Sequence, residues 1–355
     1  MKKAISPRRW LVLLSSCLLI IVPVMSALMY LVDPYFQFRV RDNTYLVNPT
    51  FSNGGLIKNY DYDTLIIGSS MSQNFDMDLF REKLGVSPLH VSLGGMNSAE
   101  MIELLELANA VGKAKHYYIC MDIRTFMREP SSNNNVPYLI SQSPLSKAQY
   151  LLSHEAWFYS LPVSMALLLA QWLDVDLPES IRIETEIDNM GNWEDDYTCS
   201  EEVTLNNYLS GKFATSDVDI THAYAIGTKN IDALFEVLAQ FSGSVSFIFP
   251  PYSGLFWHSK AGSLDTTLEV KHYFIEKAYA NGYCTYDFQG EDLITDLNNY
   301  RDTSHYGGHI NDWMVDCFAE GTCIVTPDTM YTVDENLKRN IAVTVEKYAP
   351  WLNAE

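Results

Sequence analysis

Basic residues are scarce in this sequence, and the deficit bounds what the protein can bind. Of 355 residues, 24 are Lys or Arg and 44 are Asp or Glu, for a net charge of −20. Four of the basic residues (Lys2, Lys3, Arg8 and Arg9) precede the first apolar run, which leaves 20 basic against 44 acidic residues for the remainder. A body this acidic argues against nucleic-acid binding, which depends on neutralising phosphates. It is equally held away from anionic headgroups unless something tethers it. Cysteine is sparse as well: there are six, with no Cys-x-x-Cys pair, so a zinc ribbon or a thioredoxin-like site is not expected. Cys17 and Cys120 fall in apolar runs and read as free, whereas Cys317–Cys323 and Cys199–Cys284 could pair in an exported domain. Internal repeats and low-complexity tracts are missing. An apolar content of 47% with 19% charged residues excludes a disordered chain.

The one long apolar run lies near the start. From Trp10 to Val32, 23 successive positions carry no charge. A helix rises about 1.5 Å per residue, so this run suffices to cross a hydrocarbon layer of about 30 Å. Basic residues precede it and Asp33 follows, which under the positive-inside rule keeps the N-terminus in the cytoplasm and exports the rest. Val24-Met25-Ser26 resembles a signal-peptide cleavage site. The apolar run continues beyond it, which favours an uncleaved single-pass anchor over residues 1–32.

Beyond the anchor, residues 33–63 read as an aromatic, loop-rich linker with a turn at Asn53-Gly54-Gly55. Short apolar strands then alternate with helical patterns. Strands are expected at Thr64–Ile67, Leu89–Leu93, His116–Met121 and Val245–Phe249, with a weaker one near Cys284–Phe288. Helices are expected over Met77–Leu84, stopped by Gly85, and after a cap at Asn97 or Ser98. Strands apolar on both faces and alternating with helices imply an α/β fold with a mostly parallel sheet. The domain is expected to run from 64 to 355, with an insertion at about 143–217. Within that insertion, Ser143–Asp174 is helical, and its dense segment Leu161–Ala170 reads first as a buried helix. The alternative is a surface that docks on the membrane or on a partner. Residues 179–217 are acidic and turn-rich, like a lid.

Two constellations carry chemistry. Ile66-Ile67-Gly68-Ser69-Ser70-Met71 ends a strand just before a helix, where open α/β sheets bind ligands and backbone N–H groups can hold an oxyanion. Arg301-Asp302-Thr303-Ser304-His305-Tyr306 places an Asp three residues before a His, a spacing that lets the carboxylate orient the imidazole as a base for a serine. His305 and His309 are four apart and could face one ion, but Gly307-Gly308 interrupts the helix such a pair needs, and no third ligand stands at suitable spacing. No metal is expected. The aromatics Tyr252, Phe256 and Trp257 suit either sugar stacking or the core, and His90, His116, His154 and His272 have no local partners that suggest catalysis.

Together these segments resemble the SGNH/GDSL hydrolase superfamily, whose nucleophile follows the first strand and whose Asp-x-x-His pair lies near the C-terminus. The resemblance implies a flavodoxin-like three-layer sandwich, with Ser70 as nucleophile, His305 as general base and Asp302 as its orienter. It narrows further. The apolar run followed by Asp33-Pro34-Tyr35-Phe36, the stretch Tyr62–Ser70, Phe249-Pro250-Pro251-Tyr252-Ser253 and Asp302–Tyr306 are similar to one membrane-tethered branch. That branch includes alginate O-acetylation proteins and the D-alanyl transfer protein of teichoic acids, and it works beside membrane-bound O-acyltransferases. Such a role implies an extracytoplasmic O-acyltransferase, an acetyltransferase for preference, acting on an envelope or exported polysaccharide without a dissociable cofactor. A plain esterase and a non-catalytic partner of the membrane acyltransferase are the rival expectations. For the oxyanion hole, Gly94 or Gly95 fits the family's glycine. Asp122 stands where its asparagine would be, and an ionised carboxylate cannot donate; either Asn97 or Asn74 substitutes, or Asp122 simply ends a strand.

Overall fold

The strands form where short β-branched and aromatic runs are bounded by turns, glycine or proline. In the computed structural model, which describes residues 6–40, 49–130, 137–175, 198–212 and 218–352, they are β1 (Thr64–Gly68), β2 (Pro88–Ser92), β3 (His116–Cys120), β4 (Ser244–Phe249) and β5 (Cys284–Asp287). All pairings are parallel, in the order β2-β1-β3-β4-β5. The α-helices, in chain order, begin with α1 (Pro7–Val32), α2 (Pro49–Asn59), α3 (Met77–Leu84), α4 (Ser98–Val111) and α5 (Ile123–Phe126). Next come α6 (Pro144–Leu151), α7 (Leu161–Leu173), α8 (Glu201–Leu209) and α9 (Ile220–Leu238). The last are α10 (Gly254–Ser259), α11 (Leu264–Ala280), α12 (Gly308–Glu320) and α13 (Met330–Leu352). The chain divides into two compact units: Met1–Tyr60 with Val136–Asn189, and Asp61–Asn135 with Met190–Glu355.

The second unit holds the sheet. Ile66, Tyr118, Cys120, Ile248 and Tyr286 join Phe80 of α3 and Met314 and Phe318 of α12 in one apolar cluster. The alternate side chains Phe247 and Phe249 meet Phe274 of α11, at 4.7 and 5.4 Å between ring centroids. Successive residues of a strand point to opposite faces, so the sheet carries helices on both sides, and its strands read as unbroken apolar runs for that reason. Helix boundaries follow local rules. Asp76 caps α3 and Gly85 closes it in the left-handed region, while Asn97 and Glu100 form a reciprocal capping box on α4.

The first unit is built on α1, which is long and apolar enough to span a membrane and is fully exposed over its most apolar window. Its end is tied down locally. Asp33 takes a left-handed conformation, and its carboxylate accepts the backbone N–H of Gln37, Phe38 and Arg39 and the hydroxyl of Tyr150. Burial pushes that carboxyl up even against these four donors. Around it, Met29, Tyr35, Leu139, Tyr150, Ala156 and Leu161 form a separate apolar cluster.

Three expectations are corrected. Asn53-Gly54-Gly55 is not a turn but the middle of α2. These glycines serve close packing, because a Cβ on Gly54 would collide with the Leu139 carbonyl and one on Gly55 with the Tyr35 carbonyl. The dense segment 161–170 is not a buried helix: only Leu161, Ser164 and Leu167 of α7 are buried. The insertion expected at 143–217 is divided, its residues 143–175 grouping with α1 and 198–212 with the sheet. Most of the expected lid, 179–217, lies outside the described residues.

Candidate active site

The carboxyl end of β1 is a tight place. Gly68 packs so closely on β3 that a Cβ there would lie 2.7 Å from Cys120 Cβ and 2.8 Å from Ser72 Oγ. The chain then turns through a short 3₁₀ segment, Ser70–Ser72, capped by the buried Ser69, whose Oγ accepts the Met71 N–H. Ser72 Oγ donates to the Ser69 carbonyl at 2.9 Å and also lies 3.3 Å from His90 Nε2. Ser70 itself is left half-buried at the rim of the sheet.

The partner segment arrives from 235 residues away. His305 Nε2 lies 2.9 Å from Ser70 Oγ, and His305 Nδ1 lies 2.8 Å from Asp302 Oδ2. The other oxygen, Asp302 Oδ1, accepts the backbone N–H of Ser304 and of His305, at 2.8 and 2.9 Å. Asp302 is buried, which alone would push its carboxyl up. The hydrogen bond and charge of His305 and the two backbone donors outweigh that and hold it below its ordinary value. An ionised carboxylate on Nδ1 favours the tautomer with the proton on that nitrogen, leaving Nε2 to accept the Ser70 proton.

Two further contacts hold the loop and the serine together. Tyr306 donates its hydroxyl to the Met71 carbonyl at 2.7 Å. Ser253, after β4, donates both its N–H and its Oγ–H to the Thr303 carbonyl, at 3.1 and 2.8 Å. The sequence marked Phe249–Ser253 as a point of resemblance, but gave no sign that Ser253 holds the His305 loop. Only its position beyond a strand's carboxyl end could have suggested that.

The oxyanion candidates separate. Ser70, Met71, Asn74, His305 and Tyr306 line one shallow cleft. Asn74 Nδ2 donates to the Tyr306 carbonyl at 3.4 Å, and its Oδ1 is buried without a partner among the described residues. Gly94 and Gly95 occupy an exposed turn after β2, where the Leu93 N–H bonds the Gly68 carbonyl, which puts them at the same sheet edge as Ser70. Asn97 is committed to α4: its Oδ1 accepts the Ala99 and Glu100 N–H groups, and it does not line the cleft. Asp122 does more than end a strand. It caps α5 through the Arg124 N–H, and burial raises its carboxyl above the ordinary range although Arg124 opposes the shift.

The remaining candidates settle into packing. Tyr252, Phe256 and Trp257 are buried against one another, with Tyr252 and Phe256 stacked at 4.3 Å, so they belong to the core. His309 meets Asn299 Oδ1 at 3.3 Å, and among the described residues no group of three His, Cys, Asp or Glu side chains gathers as a ligand set. His116 pairs with Ser244 and His272 with Asp334. Neither cysteine pairing that the sequence allows is made as a disulfide among the described residues. Cys317 and Cys323 Sγ are 3.7 Å apart, whereas Cys199 lies beside Gly307 and Cys284 begins the edge strand β5. Compared with known proteins, the chain matches no family model and no curated relative.

Proposed function

We propose that this protein is a serine-dependent acyl-transfer enzyme, in which Ser70 carries the acyl group, His305 is the general base and Asp302 orients it. One observation carries the reading: the chain of contacts at 2.9 and 2.8 Å from Ser70 through His305 to Asp302, closed by segments 235 residues apart. In the first half-reaction His305 takes the Ser70 proton as Oγ attacks the acyl carbonyl, then returns it to the leaving group. In the second, His305 deprotonates the acceptor hydroxyl as it attacks the Ser70 ester, then returns that proton to Ser70 Oγ as the bond from Oγ to the acyl carbon breaks. The donors proposed for the developing oxyanion are the backbone N–H of Ser70 and the Asn74 amide, on residues that line the cleft, and the Gly94-Gly95 turn, which does not line it.

The acceptor is proposed to be a hydroxyl of an envelope or exported polysaccharide, reached outside the cytoplasmic membrane to which α1 tethers the protein. A membrane-bound O-acyltransferase would be the donor-side partner. The flavodoxin-like three-layer reading belongs with this proposal. It is supported by the all-parallel order β2-β1-β3-β4-β5 and by apolar packing on both sheet faces. No dissociable cofactor enters the scheme.

The test compares polymer ester content in cells carrying wild-type protein with that in cells carrying Ser70→Ala or His305→Ala. The proposal expects both variants to be expressed, folded and unable to acylate. Full acylation with Ser70→Ala would instead make the protein a non-catalytic partner. One observation favours hydrolysis as a second reading: the His305 side chain is 25% exposed and Ser70 half-buried, so water reaches the acyl ester. A purified enzyme that rapidly hydrolyses a small acyl ester would favour that reading.

A further inference from the structure

The segment from Ala156 to Leu173 has no charged residue and only 28% of it is buried. It begins with a π-helical turn at Ala156–Ser160 and continues as α7. Phe158, Tyr159, Leu169, Trp172 and Leu173 stand 70, 72, 51, 80 and 57% exposed. A contiguous apolar face of this kind is kept in soluble proteins only where something covers it.

The attachment of the segment says what covers it. Ala156, Leu161 and Met165 pack with Met25, Leu28 and Met29 of α1, and Ser26 Oγ donates to the Leu151 carbonyl at 3.3 Å. If Arg9 marks the headgroup level, a rise of about 1.5 Å per residue brings the far hydrocarbon boundary, about 30 Å away, to about Met29. The α1 residues that grip this segment therefore lie in the last two turns of the span. Its start is fixed at the membrane surface, not out in water.

We propose that Ala156–Leu173 is an interfacial element that seats its exposed apolar face in the leaflet at the C-terminal end of α1. Its occupant is lipid acyl chain. Trp172 and Tyr159 suit the headgroup level, where aromatic rings with a polar edge are favoured. The acidic residues Glu155 and Asp174 bound the uncharged segment at its two ends and stay on the water side. Two attachments, the span and this segment, restrict the tilt of this unit relative to the membrane plane more than a single helix would. The inference rests on α1 being a membrane anchor and is independent of the chemistry at Ser70.

The test introduces benzoylphenylalanine singly at positions 158, 169 and 172 of the full-length protein in native membranes, with position 18 as a lipid reference and position 279 as an exposed reference. After irradiation, mass spectrometry identifies the adducts. Phospholipid adducts at the three positions are expected at a yield comparable to position 18 and about tenfold above position 279. Protein adducts there in place of lipid would overturn the proposal in favour of a partner surface, and no adduct there while position 18 labels would overturn it outright. Failure at position 18 as well would remove its premise, the membrane anchor, and the inference with it. All of these outcomes leave the Ser70 reading untouched.

Discussion

Asp302 is the residue whose chemistry is most tightly specified. Its carboxylate accepts three hydrogen bonds, two from backbone and one from His305. Asp302→Asn keeps the shape but can present an N–H to Nδ1, which moves the imidazole proton to Nε2 and leaves no acceptor for the Ser70 proton. In the serine-protease triad the equivalent change costs about 10⁴ in kcat, and a loss of that order is expected here in acyl-ester turnover. The same carboxylate makes folding sensitive to acid. Its pKa in the fold lies below the ordinary 3.8, so its contribution to stability is fully present above that value and disappears as pH falls through the lowered one. Denaturant titrations at pH 6 and pH 3 should therefore show a smaller loss for Asp302→Asn than for wild type. A second buried group concerns stability alone. Lys271 Nζ, fully buried, lies 2.6 Å from Asp287 Oδ2 and 3.1 Å from Gln289 Oε1. Lys271→Met strands the Asp287 charge in the core and is expected to cost about 3–5 kcal/mol in urea unfolding. Adding Asp287→Asn should recover much of the loss.

At the scale of elements, the strand-to-turn junction after β1 governs activity more than stability. Gly68→Ala would force the β1 end, Cys120 or the Ser72 hydroxyl to give way. Overpacking of this kind costs about 1–3 kcal/mol. A displacement of the serine by about 1 Å can cost about 10² in rate, so kcat should fall far more than the melting temperature does. The five strands were legible because each is a short apolar run between breakers, and the α3 stop and the α4 cap because Gly85 and Asn97 act through local hydrogen bonds. The Asp302–His305 pair was legible for the same reason: a spacing of three closes within one loop. What is decided by distant contacts was not legible. Gly54-Gly55 carries a turn signal, yet the neighbouring Tyr35 and Leu139 carbonyls need bare backbone in a helix. Leu161–Ala170 has the composition of a core helix, and composition does not say whether protein covers it. Asn97 was read both as a helix cap and as an oxyanion donor because both call for the same residue type, and it makes the cap through Oδ1.

At the scale of the molecule, the residues that would do chemistry and those that would hold a membrane fall in different units. Ser70, Asp302 and His305, with Ser253 and Tyr306 that brace them, all lie within Asp61–Asn135 and Met190–Glu355. The apolar helix α1 and the exposed face of α7 lie in the other unit. With 44 acidic and 24 basic residues, and four of the basic ones ahead of the span, the body carries little charge attraction toward anionic lipid. Attachment must then be hydrophobic. Deleting residues 1–32 removes the span and also takes Met29 out of its cluster with Tyr35 and Tyr150, so the unit built on α1 is expected to loosen and expose its apolar side chains. The sheet unit keeps every contact from Ser70 to Asp302. Such a truncated protein, kept soluble in mild detergent, should turn over a small soluble acyl ester within about threefold of the full-length rate, as independent sites behave additively. In cells the same deletion should abolish polymer acylation if, as proposed, the acyl donor is delivered at the membrane. Loss of small-ester turnover on truncation would mean that the acyl-transfer geometry depends on the anchored unit, and the division of labour argued here would be wrong.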